Sequence, residues 1–352
     1  MKIERIRLGQ VPSPGLAGAV LTRDLDVTGE RWAKGRRLSS GDLRRVAAAL
    51  PHAGRPITVL LPEAGDVLED DAARRIAHAV IGPGLTGGPP AQSRIDLRAT
   101  HAGLARIDVR ILDRLNSIDT VEVFTILDGR IVEAGALVAS VKVAPHLVPA
   151  AVLAKVDRVA SASGKRGVVS VAPFLPRRVA AIVKESIRGI ARDRFETSIR
   201  AKVEGLGSSL VGIDYVDDSV TPVATALNAR ARGRSAGRAD LILTAGSGST
   251  DPEDTFFVAI ASLGGLILRH GIPAHPGSML WLARIGRVPV IGLPSCGAYS
   301  KATAFDLLLP RLLAGEALTI RTVARLGHGG ILTRDQRFRF PAYARDLDAP
   351  EG

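Results

Sequence analysis

"LILTAGSGSTDPEDT", residues 241–255, decides the fold. Three branched apolar residues run into a loop of small residues, and acids follow at once. A short, continuous apolar run is what a strand covered on both faces needs. Gly246 and Gly248 let main-chain N–H groups come close to a ligand, and Asp251 or Asp254 suits the cap of a helix that starts there. In an open α/β sheet, ligands sit at the carboxyl ends of the strands, which is where this loop falls.

Outward from this stretch, strand and helix alternate. "GVVSVAPF", "SSLVGIDYV" and "ADLILTAG" read as strands, with "LILRHGI", "GSMLWLARI" and "VPVIGLP" after them. "PRRVAAIVKESI", "RFETSIRAKVEGLG", "DDSVTPVATALNARARG", "DPEDTFFVAIASLGG" and "KATAFDLLLPRLLAG" read as helices. The expected class is α/β, with a C-terminal open, mostly parallel sheet and helices on both faces. A turn-rich α+β N-terminal region precedes it. "VEVFTILDGRIVEAGALVASVKVAP" carries hairpin turns, and "SSGDLRRVAAALPHAG", "EDDAARRIAHAVIGPG" and "DVRILDRLNSI" have helical spacing. The expected domains are an α+β domain at 1–160, an α/β domain at 166–318 and a loosely ending extension at 319–352. "SASGKRG", residues 161–167, is the linker candidate.

Composition narrows the function classes. A formal charge of +12 favours anionic partners, although a coding bias toward Arg, Ala and Gly accounts for it as well. Nucleic acid is not expected, because no basic helix has groove-reading spacing and aromatics, at 4%, are too sparse for a stacking platform. The loop lacks the spaced glycines of a nicotinamide dehydrogenase. The single cysteine, Cys296, excludes an internal disulfide and fits a reducing compartment. The N-terminus lacks a signal-peptide core, and no apolar run reaches the ~20 residues of a membrane span. The chain is expected to be cytoplasmic. His270 and His275 have no third partner at zinc spacing.

The loop offers the hydroxyls of Thr244, Ser247, Ser249 and Thr250 beside the backbone of Ala245, Gly246 and Gly248. A plain strand-to-helix turn is the alternative reading. Asp251, Glu253 and Asp254 favour the ligand reading, since a cap requires one acid rather than three. Surplus carboxylates beside a phosphate loop suggest a bridging Mg2+ ion, with Asp217 and Asp218 at the preceding strand end. Ser295, Cys296 and Gly297 form another strand-end loop, and Lys301 follows near a helix start. A solvent-facing lysine and a small cysteine filling the loop are the plainer alternatives.

"TAGSGSTDPEDT", "HPGSM" and "GLPSCG", spaced by strands and helices, resemble the molybdopterin-binding domain family over roughly residues 166–318. That family includes molybdopterin molybdotransferases, adenylyltransferases and gephyrin. "GIPAHPGSMLWLARIGRVPVIGLPSCGAYSKATAFDLLLPRLLAG" is most similar to the molybdopterin-binding half of fused molybdenum-cofactor cytidylyltransferase proteins, whose nucleotidyltransferase half is expected to be absent here. "KGRRLSSGDL" and "EDDAARRIA" resemble their leading segment.

The resemblance implies a phosphate and pterin loop at Gly246, Ser247 and Gly248. It implies catalytic acids at Asp254, Glu253 or Asp218, and metal ligands at Asp251, Asp254 and Asp217. Ligand contacts are implied at Pro276, Gly277, Ser278, Pro294, Ser295, Cys296, Gly297 and Lys301. Ala245 replaces the first glycine of the family's usual pair, and Ser295-Cys296-Gly297 replaces its Gly-x-Pro. The implied function is molybdenum-cofactor biosynthesis. A molybdotransferase-like enzyme would bind molybdopterin or its adenylylated form, with molybdate as substrate and Mg2+ as cofactor, and would form a homo-oligomer. The alternative is a non-catalytic carrier that presents molybdopterin to a separate nucleotidyltransferase.

Overall fold

The computed structural model describes residues 1–50, 56–184, 189–233, 237–294 and 302–345. The chain divides into two units. One comprises Met1–His101, Ala105–Asp128 and Val132–Val171; the other comprises Ala102–Leu104, Gly129–Ile131 and the chain from Ala172 onward. In the first, strands Val121–Thr125, Leu137–Val143, Arg94–Ala99 and Leu85–Gly87 form a four-stranded antiparallel sheet. Helix Glu69–Val80 buries Ala72, Ala73, Ile76 and Val80 in the same core as that sheet. The Ser39 side chain accepts from the Asp42 amide and closes a capping box on helix Ser40–Ala48.

The second unit holds the expected parallel sheet. Its elements are β1 (Arg178–Lys184), α1 (Ile190–Glu204), β2 (Ser209–Val216), α2 (Val220–Arg232), β3 (Leu241–Ala245), α3 (Thr255–Ser262), β4 (Leu266–His270), β5 (Trp281–Ile285), β6 (Val288–Gly292) and α4 (Ala304–Leu313). The six strands lie in the order β2-β1-β3-β6-β5-β4. β1 runs parallel to β2 and β3, and β3 parallel to β6, while β4 and β5 add antiparallel pairs.

β1 corrects the sequence reading. "PRRVAAIVKESI" has helical spacing at Val179, Ile182 and Val183, yet Arg178–Lys184 is an interior strand of the sheet, paired on both sides. Periodicity cannot separate a strand buried on both faces from a buried helix. "GVVSVAPF" is a strand at Val169–Ala172 but lies outside the parallel sheet.

Alternation sorts the two faces of β1. Val179, Ala181 and Val183 enter one core with Phe195, Ile199 and Val203 of α1 and Phe305, Leu308 and Leu309 of α4. Ala180 and Ile182 enter the other with Val223 and Leu227 of α2 and Phe256, Ala259 and Ile260 of α3. Helices thus cover both faces. Each large side chain fully buried here stabilises by roughly 1.5–3 kcal/mol. Lys184 has the parity of Ala180 and Ile182, so strand geometry turns it toward α3. The segment after α4 joins the first core through Val323, Leu326, Leu332, Phe340 and Ala344.

Two positions test this packing. Trp281 lies directly opposite Gly292, and a Cβ at 292 would stand 1.9 Å from the indole Cε2. Gly292→Ala is expected to lower stability by about 1–3 kcal/mol and shift Trp281 emission, read by urea unfolding. At the other end of the sheet, Tyr215 Oη donates to Glu196 Oε1 at 2.8 Å, tying β2 to α1. Burial, helped by the Glu196 carboxylate, pushes the Tyr215 hydroxyl up to about 12. Its stabilising contribution is complete below the ordinary tyrosine value near pH 10 and is lost as pH rises through about 12. Ultraviolet titration should therefore show a late phenolate transition that Tyr215→Phe removes.

Candidate functional site

The connection from β1 through α1 leads to β2 on one side, and the chain then crosses back to β3 on the other. The topological switch point lies between the carboxyl ends of β1 and β3, where open α/β sheets receive ligands. β1 ends at Lys184 and β3 at Ala245. Thr244 and Ala245 are buried, and Gly246 leaves the strand at φ +91°, a conformation that favours glycine.

Asp254 organises the loop. It is 6% exposed and caps α3, its Oδ1 accepting from the Phe256 amide at 2.9 Å. Its Oδ2 accepts from the Gly248 amide at 2.7 Å and from Lys184 Nζ at 2.8 Å. One carboxylate oxygen therefore joins the loop backbone to the ammonium at the end of β1. Lys184, 3% exposed, also lies 3.0 Å from Asp218, whose side chain is 62% exposed. The Thr255 hydroxyl donates to Asp218 at 2.7 Å. That hydrogen bond, with Lys184 assisting, holds the Asp218 carboxyl below the usual range.

The amides of Gly246, Ser247, Ser249 and Thr250 find no acceptor among the described residues. Ser247 Oγ accepts from the Trp281 indole at 3.1 Å. Among the described residues Thr244 Oγ1 has no hydrogen-bond partner; it is buried on the face of the sheet that also carries Lys184. A buried orphan hydroxyl is uncommon in a native fold and calls for a cause. The switch point thus gathers open amides, a buried ammonium and an unsatisfied hydroxyl, a donor set suited to an anion.

Residues 178–314 match a family model described as "Probable molybdopterin binding domain". Over these residues the chain is similar to that family. No curated protein matches the chain. Among solved structures, the molybdopterin biosynthesis MoeA protein of Pyrococcus horikoshii overlaps 74% of this chain and 81% of its own at 16% identity, with a TM-score of 0.28. The molybdopterin biosynthesis enzyme MoaB of Thermus thermophilus overlaps 40% of this chain and 98% of its own at 21% identity, with a TM-score of 0.27. Overlaps with TM-scores this low carry no argument about function.

Within the matched stretch, the expected residues separate into groups. Asp254 and Asp218 meet at Lys184, and Gly248 joins them through Asp254, while Thr244 to Ser249 form the strand end and loop that lead to Asp254. Asp251, Glu253 and Asp217 are exposed, and Asp251 Oδ1 accepts from the Glu253 amide at 2.9 Å. Pro276, Gly277 and Ser278 form a turn against α4 and the segment near Gly330. There the Ala304 amide donates to Pro276 O at 2.9 Å, and the His275 amide to Gly330 O at 2.7 Å. Pro294 is buried just after β6. Ser295, Cys296, Gly297 and Lys301 lie outside the described residues.

Of the acids expected to hold Mg2+, Asp254 does not fit that role. The Asp254 carboxylate is filled by a lysine and two amides. Among the described residues no group of three or more His, Cys, Asp or Glu side chains is arranged for a metal. Among the described residues, no helix is long and apolar enough to cross a membrane.

Lys184 is the site residue that sequence reasoning missed. Its signal was a single charge at the end of a β-branched run, visible once that run is read as a strand.

Proposed function

We propose that this domain binds molybdopterin, a pterin dithiolene phosphate, with its phosphate on the open amides of Gly246, Ser247, Ser249 and Thr250, and that it serves molybdate insertion in molybdenum-cofactor biosynthesis. The observation that carries the reading is the open backbone at the switch point beside a buried ammonium, within a stretch similar to this family. Main-chain N–H groups left open among the described residues stabilise an anion without reorganising when it arrives. Gly246 and Gly248 keep the approach clear. Asp254 fixes the loop on α3, so its contribution is positioning. The homo-oligomer expected from the sequence belongs to the same reading.

A carrier that presents molybdopterin to a separate nucleotidyltransferase is the second reading. One observation favours it: the carboxylate best placed to act, Asp254, is already taken by three donors. Anaerobic purification followed by mass spectrometry tests the shared part. A phosphate-bearing pterin is expected to co-purify or to bind on addition. Molybdate-dependent turnover of the bound pterin then selects the transferase, and binding without turnover selects the carrier. An apo protein that takes up no pterin removes both.

A further inference from the structure

We propose that Lys184 is the side-chain cation that receives the ligand's phosphate, and that Asp218 is a resident placeholder that occupies this ammonium until the ligand displaces it. The inference rests on the anion-binding reading above.

The two acids on Lys184 are not equivalent. Asp254 is buried and engages two backbone amides besides the lysine, so its removal would undo the loop and the start of α3. Asp218 is 62% exposed and keeps a second partner, the Thr255 hydroxyl, when it leaves Lys184. It can therefore move into water without stranding a charge. The ammonium donor it vacates then faces the surface of the switch point. Because Asp254 Oδ2 accepts from both Lys184 Nζ and the Gly248 amide, the ammonium lies across a single oxygen from Gly248, in the middle of the loop whose other amides are open.

An anion resting on those amides is within reach of the same ammonium, and two anions cannot use one surface-facing donor together. Asp218 and the ligand phosphate thus compete. Asp254 and Lys184 form a neutral buried pair, so Asp218 also repels the incoming phosphate directly. The acid that sequence reasoning gave a catalytic role is, on this account, a brake on binding.

Calorimetric titration of the full chain with inorganic pyrophosphate, in EDTA and again with added Mg2+, tests the proposal. Asp218→Asn keeps an acceptor for Thr255 and should bind pyrophosphate about fivefold more tightly than wild type, with or without the metal, as expected for releasing one exposed ion pair. Adding Lys184→Gln to that variant should abolish the gain. Equal or weaker binding by Asp218→Asn, or binding that requires Mg2+, overturns the placeholder. The pterin titrated in parallel separates this failure from that of the function itself. Pterin bound equally by wild type and Asp218→Asn overturns the placeholder and leaves the function standing. Pterin bound by neither removes the function and the placeholder together.

Discussion

Replacing Lys184 with methionine should lower the stability of the C-terminal unit by about 3–5 kcal/mol. The substitution removes the ammonium from Asp254 and leaves that carboxylate buried with only two amides. A buried charge without its partner is costlier than a pair that was never made. The expected value lies toward the lower end of the range, because Asp254 keeps its amides. Lys184→Met with Asp254→Asn should recover part of the loss, since the double variant strands no charge. The loop should loosen as well, because Gly248 is held through the same oxygen. Urea unfolding followed by Trp281 emission, in a Trp32→Phe background, reports on this unit specifically.

The second large effect is expected at Lys202, on the opposite face of the sheet. Its Nζ lies 2.6 Å from Asp306 Oδ1, with both side chains almost completely buried. Asp306 also accepts from the Thr303 amide at 2.8 Å and completes the capping box of α4. The Lys202 ammonium faces the Tyr343 ring at 5.7 Å, and burial raises the Tyr343 hydroxyl well above its ordinary value. Lys202→Met should cost about 3–5 kcal/mol by leaving Asp306 charged in the core. Lys202→Met with Asp306→Asn should cost less than the single change. Hydrogen exchange should show the start of α4 opening in the single variant. The Pro276–Ser278 turn should open with it, because the Ala304 amide donates to Pro276 O.

The parts of this site that are legible in the sequence are the local ones. Leu241–Ala245 declares itself by an apolar run ending in glycine, and α3 by the acid that caps it. Both signals lie within fifteen residues. β1 reads as a helix because Val179, Ile182 and Val183 satisfy a helical spacing as well as a buried strand does; their β-branching is the better guide. With β1 taken for a helix, Lys184 has no strand end to occupy and the switch point cannot be located. The partner of Asp254 lies 70 residues away in sequence, so only the parallel pairing of β1 with β3 brings the two together. The surplus acids suggest a metal because the lysine that answers Asp254 is out of view. The turn at Pro276–Ser278 is visible in the sequence, but its packing on α4 depends on the tertiary fold.

The most direct test of the central claim is an amide-resolved NMR titration of the deuterated chain with the pterin dithiolene phosphate under anaerobic conditions. The account predicts that the Gly246, Ser247, Ser249 and Thr250 amide signals move downfield together, while that of Gly248, already bound to Asp254, moves least. Saturable shifts confined to other parts of the chain, with these four amides unmoved, would contradict it.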